Sequence, residues 1–447
     1  MASRKNTQKN ERPKIVDLFC GAGGLSAGLS EAGFEVIGAV DDWKPACASI
    51  QANHPKAHVF CGDIRKLEAE EFASKLSAKP DLVVGGPSCQ GFSTAGGFSR
   101  NGRKQDDDRN SLFLEFVRFV DALQPPWLLM ENVPGLLLFN KGVVATEIIK
   151  QFRIIGYNVV PIILLAADYG VPQLRRRLFF VGNRVGSDVP LPLPSHGNAN
   201  LWKNFALPFE HLSRIGNKSA TSTIAPHVTF SQACGDLPKV KVGETISGIP
   251  YPTSALSEFQ EYARQGSTAL THHHAFELSE FDKAAIKHLK PGQNWTNLPD
   301  ELKIGRFAKI RSYDATTLLK RLQLEKPSYT ITTKFNEATT GAFIHPTQNR
   351  TLTIREAARL QSFKDKHVFM GSPSEVREQI GNAVPPLLAE QIGRRLLPFV
   401  QKTKGAAIRT EMIEGIDYVS FDPNQSPEDL IGLKGRKTKD VSQLSLL

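Results

Sequence analysis

Between Lys14 and Val181, short apolar runs of strand length alternate with stretches patterned for helices, and this alternation restricts the fold more than any other feature of the chain. The predicted strands are Lys14 to Phe19, Glu35 to Val40, Val59 to Cys61, Leu82 to Val84, Trp127 to Met130, Tyr157 to Leu165 and Leu178 to Val181. Helical patterns fall between them, at Leu25 to Ala32 and at Leu112 to Leu123, the latter with Asn110 placed to cap it. Strands joined through helices pair in parallel, because a helical crossover returns each strand to the same end of the sheet. Residues 14–183 are therefore predicted as one α/β domain with a doubly wound, mostly parallel sheet.

The remainder has a different character. Three prolines lie between Val189 and His196, and no strand-helix alternation can be followed from 184 to 325, so this region is expected to form a second, smaller domain. A chain of 447 residues is also too long for one ordinary core. Order resumes at Lys326. Thr353 and Glu356 are spaced as a capping box opening a helix through Phe363, since each side chain can satisfy the other's free backbone N–H. Pro385 and Pro386 start a further helix, Leu387 to Leu396, which returns the chain (383–402) to the first domain; 326–382 is the remainder of the small domain. Residues 403–447 are polar and charged, and are expected to form a loosely held tail.

Lys and Arg number 55 against 45 Asp and Glu, a formal charge of +10 that favours a polyanionic partner. The five cysteines, at 20, 47, 61, 89 and 234, are widely spaced and include no CxxC pair, which argues against a disulfide framework or a zinc site and for a reducing compartment. No apolar run reaches the roughly 18 residues of a membrane span, so a soluble, cytoplasmic protein is expected.

One of the cysteines is conspicuously placed. In PDLVVGGPSCQGFS the strand ending at Val84 is stopped by Gly85, Gly86 and Pro87, which turn Cys89 out at the sheet edge, where a thiol is reachable by substrate. A buried, inert thiol is the commoner fate of a free cysteine. The loop Gly21-Ala22-Gly23-Gly24 after the first strand lacks the complete GxGxxG fingerprint, since Ser26 stands where the third glycine belongs. Acids sharpen the signal: Asp17 ends the first strand, Asp41 ends the second and Asp63 follows the third, all at the carboxyl edge. An acidic rim disfavours a pyrophosphate and favours a cofactor bearing a sulfonium and an ammonium, which describes S-adenosyl-L-methionine. Glu131 follows the apolar strand WLLM, so burial should raise its pKa and suit it to donate a proton. In Gln173-Leu174-Arg175-Arg176-Arg177, alternation sends Arg175 and Arg177 to the same side, toward a carbonyl oxygen or phosphates. His272 to His274 lack a second cluster of ligands, and no metal site is expected.

Taken together, DLFCGAGG, GGPSCQGFS, ENV, QLRRR, LTIREAARLQSF and GNAVPP resemble, in order and spacing, the motifs of the DNA (cytosine-5) methyltransferase family. The resemblance covers 14–183 and 326–396. It implies a class I, Rossmann-like S-adenosylmethionine-dependent fold with a target-recognition region at 184–325. It implies Phe19, Gly21, Gly23, Asp41, Asp63 and Asn382 at the cofactor site, Cys89 as nucleophile, Glu131 as the contact to N3 and the amino group, and Arg177 at the cytosine O2, supported by Arg175 and Asn132. The implied partner is double-stranded DNA with the target cytosine flipped out, read by a monomer in bacterial restriction–modification, independently of any cognate endonuclease. Ser88 stands where family members commonly carry a second proline, and Asp41 where they carry Glu; these departures bear on loop stiffness and on reach to the ribose. The segment after Cys89, with Gly91, Gly96, Gly97 and Gly102, is a candidate lid. A tRNA cytosine-5 methyltransferase, a nicotinamide oxidoreductase and a non-catalytic DNA-binding module remain as alternatives.

Overall fold

The structure, a computed structural model, describes residues 11–87, 112–138, 143–190, 192–197, 224–313 and 315–407. Cys89, the glycines that follow it and the capping Asn110 lie outside the described residues.

The first unit is built from β1 (Lys14–Leu18), α1 (Gly24–Glu31), β2 (Glu35–Asp41), α2 (Lys44–Asn53), β3 (His58–Cys61), α3 (Ala69–Ser74), β4 (Leu82–Gly85), α4 (Leu112–Leu123), β5 (Trp127–Asn132), α5 (Gly135–Leu138), α6 (Val143–Ile154), β6 (Asn158–Leu165), β7 (Gln173–Leu174) and β8 (Arg176–Asn183). Seven strands pair in the order β3-β2-β1-β4-β5-β8-β6, parallel from β3 to β5 and antiparallel on either side of β8. The strand order reverses between β1 and β4, which opens a crevice at their carboxyl ends, the usual ligand site of a doubly wound sheet.

Alternation along each strand feeds two cores. Val16, Val83, Leu128 and Met130 pack beneath the phenylalanine face of α4 and against α6, while Ile15, Leu82, Leu129 and Phe179 face α1. That second layer is completed by α12 (Pro386–Lys402), whose Leu388, Ile392 and Leu396 return from the far end of the chain. α1 and α12 approach so closely that a Cβ on Gly28 would collide with the carbonyl oxygen of Pro386, a contact that only glycine permits. α12 runs six residues beyond the expected Leu396, through Pro398, and Thr403 after it accepts a hydrogen bond from Trp127 Nε1 at 2.9 Å. The first residues of the expected tail are thus attached to the sheet domain.

The second unit comprises α7 (Phe230–Cys234), α8 (Glu258–Arg264), α9 (Glu280–Ile286), α10 (Ile354–Leu360), α11 (Pro373–Asn382) and the short strands β9 (Thr245–Ile246), β10 (His273–His274) and β11 (Ser328–Tyr329). One core joins Phe230, Phe276, Ile331, Phe343, Leu360 and Ile380, and another gathers Leu278, Trp295, Phe307 and Ile344, so residues on both sides of 325 share the same interior. The Thr353–Glu356 capping box is present, with both reciprocal bonds. Its helix stops at Leu360, short of the expected Phe363, because Ser362 turns to a φ of 64°. His273 is buried between Pro238 O and Thr353 Oγ1, and no cluster of three or more metal-binding side chains occurs among the described residues. Likewise, none of the described helices is long and apolar enough to cross a membrane.

Candidate active site

The crevice at the carboxyl ends of β1 and β4 collects most of the residues singled out in the sequence. After β1 the chain enters the left-handed region at Phe19 (φ 58°), Gly21 (φ 51°) and Gly23 (φ 75°). For Phe19 this conformation costs roughly 1–3 kcal/mol, a strain typical of functional loops. Asp41, at the end of β2, stabilises the loop from outside. Its Oδ2 accepts from Gly21 N at 2.8 Å and its Oδ1 from Trp43 N at 2.9 Å. Burial pushes the Asp41 carboxyl up, and those two amide bonds partly oppose the shift.

Asp63 is engaged differently. It caps the turn after β3 through Arg65 N at 3.0 Å and pairs with the Arg65 guanidinium at 2.8 Å, which holds its carboxyl below the ordinary range. Asn382 ends α11 and is exposed. The residues present fit a positively charged nucleoside cofactor. A Cβ at Gly21 would point into open space, leaving room against the loop backbone, and the Asp41 carboxyl lies beside it at the end of β2.

Ser26, which broke the dinucleotide fingerprint, has a structural reason. It is buried and donates to Asp17 Oδ2 at 2.6 Å, while Asp17 Oδ1 is buried without a hydrogen-bond partner. Burial pushes Asp17 up to about 7, the Ser26 hydroxyl opposing and Asp41 adding to the shift. The folded protein therefore holds a proton on Asp17 that the unfolded chain has already released. Through this group stability falls as pH rises from the ordinary aspartate value of 3.8 to about 7, and is level above that. Urea midpoints measured across this window should fall less steeply for Asp17→Asn than for the wild type; equal slopes would refute the assignment.

At the neighbouring strand end, Glu131 and Arg177 form an ion pair, Oε1 to Nε 2.8 Å, with side chains 13% and 12% exposed. Register produces the pair: β5 and β8 run antiparallel, so Glu131 sits opposite Phe179 and Arg177 comes from the same strand two residues earlier. Burial raises the Glu131 carboxyl as expected, with Arg177 and Arg175 pulling the other way. The chain after β4 passes directly beside this acid, and a Cβ on Gly86 would lie 2.9 Å from Glu131 Oε2. Asn132 secures that approach by donating from Nδ2 to Pro87 O at 3.2 Å and accepting from Val133 N at 2.8 Å. Pro87 is the last described residue before Cys89.

Arg175 also acts on Glu131 through its charge, but its hydrogen bonds go elsewhere. β8 begins at Arg176, earlier than expected, and the buried Arg175 guanidinium donates to Ile331 O at 2.7 Å and Gly381 O at 3.1 Å, cross-linking the sheet domain to the second unit. Gln173 adds bonds to Leu360 O and Gln361 Oε1, and His367 Nε2 meets Ala22 O of the glycine loop at 2.9 Å. These side chains lock the two walls of the crevice together. Alternation singles out Arg175 but not its partners, and no local pattern marks Gln173 or His367. A separate groove, at the amino edge of β2 and lined by Glu31, His54, Tyr262 and Lys364, contains none of the site residues.

Residues 13–397 match the family model for C-5 cytosine-specific DNA methylase. The chain is 33% identical to the Type II methyltransferase M.AgeI of Thalassovita gelatinovora, over 86% of this chain and 99% of that protein. It is 34% identical to the Type II methyltransferase M1.HphI of Haemophilus parahaemolyticus, over 86% of each. Among solved structures, a prophage-encoded protein (E. coli) assigned as a DNA modification methyltransferase superposes with a TM-score of 0.62 at 25% identity, covering 86% of this chain and 98% of that one. With its mostly parallel, Rossmann-like sheet and a family match over nearly its whole described length, the chain belongs to the C-5 cytosine-specific DNA methylase family.

Proposed function

We propose that this family member transfers the methyl group of S-adenosyl-L-methionine to C5 of a cytosine within a specific duplex DNA sequence, through a covalent bond between Cys89 and C6 of the base. The observation that carries this reading is the buried Glu131–Arg177 pair beside the segment that leads to Cys89. Cytosine C5 is too weak a nucleophile to take a methyl group unaided. The Cys89 thiolate adds at C6, forming the S–C6 bond, while Glu131 donates at N3 and relieves the charge developing on the ring. Arg177 lies against Glu131 and faces the cytosine O2. S-adenosyl-L-methionine supplies an electrophilic methyl group, and C5, now an enamine carbon, takes it. Loss of the C5 proton then expels Cys89 and restores the aromatic ring. The base must leave the duplex stack to reach a site this enclosed.

Residues 184–325 serve as the target-recognition region, with 326–382 completing the small domain around it. Phe19, Gly21, Gly23, Asp41, Asp63 and Asn382 line the cofactor site. The protein works as a monomer in the bacterial cytoplasm as the modification half of a restriction–modification system, a cognate endonuclease acting separately. Bisulfite sequencing of DNA from cells expressing the chain tests this: protected cytosines within one recurring sequence are expected. Unmodified DNA together with methylated tRNA would move the assignment to RNA.

Asp41→Ala weakens S-adenosyl-L-methionine binding by about tenfold or more, because a hydrogen bond to a charged group is worth roughly 1.5–3 kcal/mol. Calorimetric titration checks this, and an unchanged affinity with the fold intact would remove Asp41 from the site.

A further inference from the structure

Two thiols lie beneath the cofactor cradle and take no part in the chemistry above. Along β3 the side chains alternate: Phe60 packs into the core under α4, whereas Val59 packs against Ile50 of α2. Cys61 shares the face of Val59, and Cys47 precedes Ile50 by one helical turn, so α2 lays Cys47 over the end of β3. Cys61 is exposed and Cys47 is buried. Asp41 is the ladder partner of Cys61, and its carbonyl oxygen accepts from both Gly62 N at 2.8 Å and Cys47 Sγ at 3.4 Å. Burial and then the adjoining Cys61 thiol push the Cys47 thiol up, so Cys47 remains a protonated donor to that carbonyl.

We propose that Cys47 and Cys61 form a peroxide-sensitive dithiol whose conversion to a disulfide loosens the cofactor cradle at Asp41. The gating rests on the reading of Asp41 given above; the disulfide does not. Hydrogen peroxide reaches the exposed Cys61 first, oxidising its thiol to a sulfenic acid with release of one water. The Cys47 thiol then attacks that sulfur, the S–S bond forms, and the hydroxyl leaves with the Cys47 proton as a second water. Two thiols are oxidised and one peroxide is reduced. The S–H that Asp41 O accepted is consumed, and the end of β3 is drawn toward α2, shifting the main chain whose carboxylate holds Gly21 and Trp43. In a reducing compartment such a bond is transient, as redox-sensing disulfides are.

The test uses the full chain carrying Cys89→Ser, which keeps the nucleophile out of the oxidation and reads binding rather than turnover. After peroxide treatment, a non-reducing peptide map should contain a Cys47–Cys61 linked pair two hydrogens lighter than the separate peptides. Affinity for S-adenosyl-L-methionine by calorimetry should fall about tenfold, the scale of one lost charged hydrogen bond, and recover with dithiothreitol. Adding Cys61→Ser, or Cys47→Ala as a second variant, should abolish both effects. Absence of the linked pair, linkage through Cys20 or Cys234, or an equal affinity loss in Cys61→Ser protein overturns the proposal. If the linked pair forms while the reduced protein binds no cofactor, the reading of Asp41 fails, and the gating falls with it.

Discussion

Cys89→Ser protein transfers no measurable methyl group, a loss of at least about a thousandfold, as when the group that makes a covalent intermediate is removed. A serine hydroxyl is far less ionised than a thiol near neutral pH, so the addition at C6 is lost while the contacts to DNA persist. The same step can be trapped. With fluorine at C5 of the target cytosine there is no proton to release after methylation, and Cys89 cannot be expelled. Wild-type protein with S-adenosyl-L-methionine should therefore form a denaturant-stable complex with 5-fluorocytosine DNA, mapping to Cys89 by peptide mass, and Cys89→Ser none. The other cysteines are poor candidates for attack on the base: Cys20, Cys47 and Cys234 are buried, and Cys61 sits at the end of β3, four strands away from β5 and Glu131. A crosslink at any of them, or full transfer by Cys89→Ser, would overturn the mechanism.

Asp365→Ala should destabilise the protein by about 3–5 kcal/mol, the usual consequence of leaving a buried cation without its partner. Asp365 is buried and accepts from Arg355 at 3.2 Å, from Arg359 at 2.6 Å and from Tyr251 at 2.7 Å, while Arg359 also reaches Asp236. Burial alone would raise the Asp365 carboxyl, but Arg355 and Arg359 outweigh it and hold it below the ordinary range. Removing the carboxylate leaves Arg355 without its anionic partner and Arg359 with Asp236 alone, in an interior that joins α7, α10 and the turn leading to His367, whose ring touches Ala22 of the glycine loop. Set against a typical stability of roughly 5–15 kcal/mol, the loss is large and should carry cofactor affinity down with it. Urea denaturation decides the matter: a change below about 1 kcal/mol would mean that the network is not the structural centre of the second unit.

The burial that raises Glu131 was foreseeable from four apolar residues before it, whereas its pairing with Arg177 came from strand register across more than forty positions. Arg175 illustrates the same limit. Two-residue alternation sends it to the side of Arg177, and its charge reaches Glu131, but its guanidinium donates to the carbonyls of Ile331 and Gly381, which no local pattern indicates. Ser26 looked like a defect in a glycine fingerprint; only the approach of Asp17 shows it as the donor for a buried acid.

The α/β alternation of residues 14–183, the strand-end positions of Asp17, Asp41 and Glu131, and the capping box at Thr353 are legible in the sequence, because each depends on local spacing and chain direction. The close approach of α12 to α1, the Arg355–Asp365–Arg359–Asp236 network, the ties from Gln173, Arg175 and His367 across the crevice, and the convergence of Cys47 and Cys61 on Asp41 emerge only once the chain is folded. Local periodicity reports which face of an element is apolar. It carries no information about which distant polar group, once buried, must find which partner, and that requirement is what shaped the interior of the second unit and its junction with the sheet.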